Sequence, residues 1–230
     1  MKAIILAAGV GKRLGDFTKS APKCLLPIGK ETVLGREIRI LQETGFSKKD
    51  IIVMGGYKSE LLNDYDINLL INEQYESTDN SYTLGMALEG ISDDVIIMDG
   101  DLVFDKQMLV QLIECSHKNA ILTHKSSDLD ESTGISVRDD GSISAIGKNI
   151  INSGYVYLSI FKVSKEAITD FRKELNAEHV KKTWYTAPLT AILNKHIFYN
   201  CITNYKWHEI DCPKDYYDTK KIFETGEEIL

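Results

Sequence analysis

The chain has 230 residues, of which 43% are hydrophobic and 27% are charged, and its formal net charge is −7. A chain of this size can bury a substantial core, so we expect residues 1–230 to form a single domain. The acidic balance argues against a nucleic-acid-binding face, and the apolar stretch 3–10 is too short to cross a bilayer. The four cysteines show no metal-ligand spacing, which predicts free thiols in a reducing compartment and a cytoplasmic protein.

Strands and helices alternate over the first 125 residues, as is typical of a parallel sheet. The predicted strands in this part are 3–6, 51–54, 67–71, 95–98 and 120–123, and the predicted helices are 31–44, a helix that Ser81 caps, and 107–116. Beyond residue 125 the order changes: a hairpin is predicted around Asp139-Asp140-Gly141, then a strand 155–160, helices 164–175 and 188–195, and a strand 197–203. The pattern indicates an α/β fold with one mixed, mostly parallel sheet flanked by helices.

The most informative stretch follows the first predicted strand. Residues 7–11, AAGVG, have side chains small enough for the backbone to approach a ligand closely, and successive N–H groups there can cradle phosphate. Four cations follow within twelve residues, namely Lys12, Arg13, Lys19 and Lys23. A Gly-rich turn followed by clustered cations predicts a nucleoside triphosphate site.

Two other phosphate-binding motifs are considered for this turn. A dinucleotide-binding fingerprint needs a third glycine where Leu14 stands, and an acidic residue about 20 positions further on, which the chain lacks. A P-loop is excluded because no G-x-x-x-x-G-K-[ST] string occurs.

Acidic residues follow another predicted strand, in Asp99-Gly100-Asp101, and recur late in the chain in Glu209-Ile210-Asp211. Ligands of α/β sheets bind beyond the carboxyl ends of the strands, so Asp99 and Asp101 are expected to face the Gly-rich turn. Carboxylates in that position suit Mg²⁺. Considered alone, these acids could equally end a strand in a turn or cap a helix.

The string L-A-A-G-x-G-x-R-L, with Thr18 and Pro22-Lys23-x-Leu25-Leu26-Pro27, resembles the signature of nucleotidyltransferases that condense a nucleoside triphosphate with a phosphorylated small molecule. Sugar-1-phosphate nucleotidyltransferases are the prototypes. Residues 80–84, 98–102 and 207–211 look like bacterial CTP:phosphocholine and phosphonate cytidylyltransferases. The resemblance implies a Rossmann-like nucleotide-diphospho-sugar transferase fold that covers nearly the whole chain.

The resemblance also implies roles for individual residues. The implied nucleotide contacts are Leu6, Ala7, Ala8, Gly9 and Gly11, with Asn80 and Ser81 at the pyrimidine edge and Asp99 beside the metal. The implied catalytic residues are Arg13, on the β and γ phosphates, and Lys23, on the α phosphate. Asp101 and Asp211 are implied to hold Mg²⁺. Asn80 and Ser81 could instead only cap the helix.

For the acceptor, the resemblance places Lys148 against its phosphate, although a lysine there could also be a solvated surface residue. Tyr185, with Trp184, Tyr155 and Trp207, could form an aromatic wall for an ammonium group. Residues 183–188 nevertheless lack the acidic side chains that the relatives carry, so a polyol, sugar, hydroxy-phosphonate or amide phosphate stays open as well.

We therefore expect a cytidylyltransferase that uses Mg²⁺, CTP and a small phosphorylated or phosphonate acceptor. A sugar-1-phosphate uridylyl- or thymidylyltransferase is the alternative, and a catalytically silent nucleotide-binding subunit is a third. No nucleic acid and no membrane insertion are expected, and a homo-oligomer is left open.

Overall fold

The structure is a computed structural model that describes residues 1–65, 67–126, 133–150 and 154–225. In these ranges the strands are β1 (Lys2–Leu6), β2 (Pro27–Ile28), β3 (Glu31–Thr32), β4 (Ile51–Gly55), β5 (Asn68–Ile71), β6 (Val95–Asp99), β7 (Leu102–Phe104), β8 (Ala120–Lys125), β9 (Gly134–Val137), β10 (Ile143–Gly147), β11 (Tyr155–Val163), β12 (Tyr199–Ile202) and β13 (Trp207–Glu209). The α-helices are α1 (Val33–Glu43), α2 (Asn80–Ala87), α3 (Lys106–Glu114), α4 (Lys165–Leu175), α5 (Thr186–Ile192) and α6 (Pro213–Lys220).

The central sheet is mixed. Its strands follow the order β10-β9-β11-β6-β1-β4-β5. In addition, β8 pairs with β11, and β12 pairs with β8. The four neighbours β6, β1, β4 and β5 are parallel, whereas β11 runs antiparallel to β6. The carboxyl ends of β1, β4 and β6 therefore meet at one edge of the sheet. The expected α/β fold with a largely parallel sheet is confirmed.

The central strands are apolar along their whole length because helices cover both faces of the sheet. On one face, α1 and α3 pack side chains such as Leu34, Leu41 and Leu112 against the strands. On the other face, α2, α4 and α5 contribute residues such as Leu84 and Phe171. Burial on both faces explains why strands 3–6, 51–54 and 95–98 read as continuous apolar runs in the sequence.

Several boundaries differ from the sequence prediction. Helix α2 begins at Asn80 with Asp79 as its N-cap, so the prediction that Ser81 caps it was wrong; Ser81 lies inside the first turn and is fully buried. Helix α1 starts after residue 32 because residues 31–32 pair with 27–28 in a small sheet. The hairpin around Gly141 is confirmed between β9 and β10. That residues 1–230 form one domain stays a prediction.

No helix in the described ranges combines the length and the apolar character that crossing a membrane would need.

Candidate active site

The Gly-rich turn leaves β1 at the carboxyl edge of the sheet, where its two neighbouring strands fix it. The N–H of Ala7 donates to Met54 O at 2.9 Å, and the N–H of Gly100 donates to Leu6 O at 2.8 Å. A Cβ built on Gly9 would meet no atom of another described residue within 4 Å. The backbone at Gly9 therefore faces open space, as a turn that receives a ligand requires.

The loop after this turn folds back through two glycines in the left-handed region, Gly11 at φ 67° and Gly15 at φ 57°. Glycine adopts this conformation without the steric cost that a Cβ would add. The hydroxyl of Thr18 lies 3.2 Å from Gly11 O and 3.3 Å from Gly15 O and links the two bends. The side chain of Arg13 is 67% exposed and extends from this loop.

A cluster of opposite charges joins segments that are distant in the sequence. The ammonium of Lys23 forms an ion pair with Asp101, and its Nζ lies 3.4 Å from Oδ1 of Asp211. Arg13 reaches the other oxygen of Asp211 at 2.9 Å. Burial alone would lower the pKa of Lys23, but the charges of Asp101 and Asp211 outweigh it, so the pKa lies above its ordinary value. The structure thus brings together four of the residues singled out in the sequence.

The position of Asp211 is set by the start of α6. The carboxylate of Asp215 accepts hydrogen bonds from the N–H of Asp211 at 3.0 Å and from the N–H of Cys212 at 2.7 Å. Tyr216, on the same helix, donates to Pro27 O at 2.9 Å and so connects the helix to the end of the signature string. The late acidic segment is therefore held beside the cationic loop.

Three carboxylates in this cluster fit a divalent cation. Ligand oxygens of Asp101, Glu209 and Asp211 lie within 4.8 Å of one another. Among the described residues, the buried Oδ1 of Asp101 has no hydrogen-bond partner, so its lone pairs are not used by the protein there. Oxygen donors of this kind suit Mg²⁺. Glu209 was not predicted as a ligand, although it belongs to the late acidic string, because that segment gave no indication which way each side chain points.

Asp99 is two residues from Asp101, and its carboxylate belongs to a hydrogen-bond network with the hydroxyl groups of Tyr185 and Tyr157. The hydroxyl of Tyr185 donates to Oδ2 of Asp99 at 3.1 Å and accepts a hydrogen bond from Tyr157 at 3.0 Å. Burial and then the charge of Asp101 raise the pKa of Asp99 to about 7. Ser159 lies beside Asp99 and limits this rise in its pKa; Ser159 has φ 56°, within a register shift in β11. Tyr157 and Ser159 were not predicted as site residues, although a serine inside an apolar strand is a signal that could have indicated Ser159.

Asn80 and Ser81 connect the start of α2 to the segment before α5. Oδ1 of Asn80 accepts the N–H of Tyr185 at 2.8 Å, and Oγ of Ser81 lies 3.4 Å from the hydroxyl oxygen of Thr183. Both side chains are thus engaged by the protein itself. Contact with a pyrimidine edge stays a prediction for these two residues.

The residues predicted to bind the acceptor differ in how exposed they are. Lys148 holds its ammonium 4.1 Å from the centroid of the Trp184 ring, which is 42% exposed. Tyr185 is 1% exposed, and its hydroxyl is used by Asp99, so it presents no open ring face for a cation–π contact. Trp207 pairs with Phe104 between β13 and β7. Lys148 and Trp184 therefore form the accessible pair.

Comparisons with known proteins identify the family of the chain. A family model described as the MobA-like NTP transferase domain matches residues 3–149. The chain is 34% identical to the CTP:phosphoglutamine cytidylyltransferase of Campylobacter jejuni over 55% of this chain and 53% of that protein. It is 26% identical to the choline-phosphate cytidylyltransferase of Haemophilus influenzae over 94% of this chain and 95% of that protein.

The chain spans about half the length of several curated relatives it matches. Among solved structures, the CTP:phosphocholine cytidylyltransferase of Streptococcus pneumoniae superposes with a TM-score of 0.78 at 20% identity, covering 96% of this chain and 98% of that one. This likeness shows the fold. Because the family model covers well over half of the sequence, and its span contains the Gly-rich turn, Lys23 and Asp101, the chain belongs to the family of MobA-like NTP transferase domains.

Proposed function

We propose that the protein transfers CMP from CTP to a small phosphorylated or phosphonate acceptor and releases pyrophosphate. The observation that carries the proposal is the cluster of Arg13, Lys23, Asp101 and Asp211 beside an open Gly-rich turn. Cations beside carboxylates are what a triphosphate and its metal require together. The names of the relatives support cytidylyl transfer in particular.

In this proposal the backbone of residues 7–11 holds the nucleotide, while the two cations divide the phosphate groups between them. Lys23 neutralises charge on the α phosphate, and the exposed Arg13 binds the phosphates that leave as pyrophosphate. An oxygen of the acceptor attacks the α phosphorus in line, and the bond from that phosphorus to the bridging oxygen of pyrophosphate breaks. The attacking oxygen is already anionic, so no general base is needed.

Asp101 and Asp211, with Glu209, would hold Mg²⁺, whose charge would stabilise the phosphate oxygens. The buried Oδ1 of Asp101, which no described residue hydrogen-bonds, supports this assignment. Asp99 would then act on the metal site indirectly, through its charge interaction with Asp101, because its own Oδ2 accepts a hydrogen bond from Tyr185.

For the acceptor we propose that Lys148 binds the phosphate or phosphonate group. Its contact with Trp184 holds the ammonium over an exposed ring and leaves the positive charge accessible. The cation–π position that an ammonium-bearing acceptor would use on Trp184 is already taken by Lys148. Among the described residues at this place, the geometry favours an acceptor recognised through its anionic group.

The preference for CTP rests on hydrogen bonding. Cytosine carries an exocyclic amine where uracil carries a carbonyl, so a cytosine site needs an acceptor at that point, such as a backbone carbonyl of the turn 7–9. Leaving such a buried acceptor unpaired costs about 1–3 kcal/mol, which corresponds to roughly 10- to 100-fold discrimination.

The proposal is tested by measuring pyrophosphate release with each nucleoside triphosphate, Mg²⁺ and a panel of phosphorylated and phosphonate acceptors. We expect turnover with CTP, loss of turnover in Lys23→Met, and normal turnover in Lys19→Met, which removes an exposed lysine of the same loop. A kcat/KM that favours UTP or dTTP would replace the cytidylyl assignment by the sugar-nucleotide alternative. Nucleotide binding without turnover of any acceptor would instead support the silent subunit.

A further inference from the structure

The segment after β4 lies directly against the Gly-rich turn. A Cβ built on Gly56 would be 2.6 Å from Ala8 O and 2.9 Å from Cβ of Tyr75, distances that no side chain tolerates. The absence of a side chain at Gly56 lets the two backbones touch. As a result, the N–H of Tyr57 donates to Ala8 O at 3.0 Å.

The other end of Tyr57 reaches the far side of the same loop. Its hydroxyl donates to Thr18 O at 3.0 Å and lies 3.4 Å from Lys19 O. One residue therefore bonds to the loop just before its first glycine and again at its last turn. The enclosed residues 9–17 include Lys12 and Arg13, which carry the positive charge.

Neighbouring residues fix the ring of Tyr57 in this position. Tyr75 packs its ring against it, with centroids 6.3 Å apart and an interplanar angle of 61°. The next residue, Lys58, has φ 49°, a conformation that is costly for a residue with a side chain, and its ammonium lies 5.7 Å from the Tyr57 ring centroid. A strained backbone held in place by packing is consistent with a position under functional constraint.

We propose that Tyr57 is a positioning residue that closes the phosphate-binding loop and sets the place of Arg13. Tyr57 itself needs no contact with the nucleotide. Without its hydroxyl the loop samples open states, and a ligand that needs the closed state binds with an affinity reduced by the closed fraction. The inference rests on the proposed nucleotide site, but its structural part can be measured without turnover.

The test compares Tyr57→Phe with the control Tyr65→Phe, which also removes one hydroxyl. The hydroxyl of Tyr65 lies 2.5 Å from Oγ1 of Thr32, a residue outside the loop. In Tyr57→Phe, the KM for CTP should rise roughly 2- to 10-fold, the scale of one hydrogen bond, while kcat and the KM for the acceptor stay within about twofold. Amide hydrogen exchange of residues 11–19 should accelerate in the substrate-free variant. Tyr65→Phe should change neither quantity.

Equal exchange of residues 11–19 in Tyr57→Phe and wild type would overturn the proposal, as would a loss of thermal stability with an unchanged KM for CTP. If the wild-type protein turned over no nucleotide, the proposed function would fail, but the exchange measurement and calorimetric binding of inorganic pyrophosphate would still decide the role of Tyr57. Faster exchange with weaker pyrophosphate binding would support it, and unchanged values of both would refute it.

Discussion

Replacing Lys23 by methionine should make the stability of the protein depend on divalent cations. Lys23 forms an ion pair with Asp101, which is 5% exposed, and contacts Asp211. Methionine retains most of the apolar stem but removes the charge. The carboxylates of Asp101, Glu209 and Asp211 would then lie close together without the charge of Lys23 between them. The ion pair of Arg13 with Asp211 would remain.

The expected magnitude follows from the burial of the pair. Removing one partner of a buried ion pair costs about 3–5 kcal/mol, because a charge is left desolvated and unpaired. The side chain of Asp211 is 30% exposed and keeps Arg13, so we expect the lower end, about 3 kcal/mol. For a chain of this size that lowers the melting temperature by about 6–12 °C in the presence of a chelator.

Mg²⁺ should restore most of this loss in Lys23→Met because it binds the same carboxylate oxygens and stabilises the folded state by mass action. The assay is thermal unfolding followed by circular dichroism near neutral pH, with a chelator and with millimolar Mg²⁺. Lys19→Met is the matched control: Lys19 is 76% exposed and pairs with an 87% exposed Asp16, so its loss should change stability by no more than about 0.5 kcal/mol. If Lys23→Met melted like Lys19→Met in chelator, or if Mg²⁺ did not restore its stability, the buried ion pair and the shared metal site would both be refuted as the cause.

Three further variants test separate parts of the site. Gly9→Ala should fold normally, since its Cβ meets no atom of the other described residues, but it should raise the KM for the triphosphate roughly 10-fold, equivalent to about 1.4 kcal/mol; an unchanged KM would place the nucleotide elsewhere. Gly56→Ala should instead lose about 1–3 kcal/mol of stability in urea denaturation, because its Cβ would overlap Ala8 O; wild-type stability would contradict this packing. Tyr185→Phe should lose about 1–3 kcal/mol by the same assay, because Asp99 loses a buried donor; unchanged stability with a raised acceptor KM would assign the hydroxyl to the acceptor.

Much of the fold could be predicted because the central strands leave a clear pattern. Continuous apolar runs at 3–6, 51–54 and 95–98 indicate strands covered on both faces, and the structure places them side by side. Parallel neighbours then bring the turn at 7–11 and Asp99-Gly100-Asp101 to one edge. The ion pair of Lys23 with Asp101, 78 positions away, does not follow from any periodicity and was not predicted; the family resemblance implied only that both residues belong to the site.

The features that could not be predicted depend on contacts between distant segments. Strands β7 and β13 have three residues each, too few to show an alternating pattern, yet their pairing places Glu209 opposite Leu102 and hence beside Asp101. The register shift around Ser159 likewise depends on the neighbouring strands and not on local propensity. Both features contribute side chains to the acidic cluster and its surroundings.

The opposite charges of the site stand on elements of different rigidity. Asp99 ends a strand in the middle of the sheet, and Lys23 is followed by Cys24, which is 1% exposed, so both side chains start from a fixed backbone. Arg13 instead stands on a loop held by the Tyr57 N–H at Ala8, by the Tyr57 hydroxyl at Thr18, and by the Thr18 hydroxyl at Gly11. The same loop also buries Leu14, which is 1% exposed and next to Arg13 in the chain. The carboxylates and Lys23 thus stand on the sheet and on a buried segment, whereas Arg13 is exposed and stands on a loop held by Leu14 and by these hydrogen bonds. Loss of the Tyr57 hydroxyl removes one of those hydrogen bonds and leaves Lys23 and the carboxylates in place, so it should lower the affinity for the nucleotide before it lowers kcat.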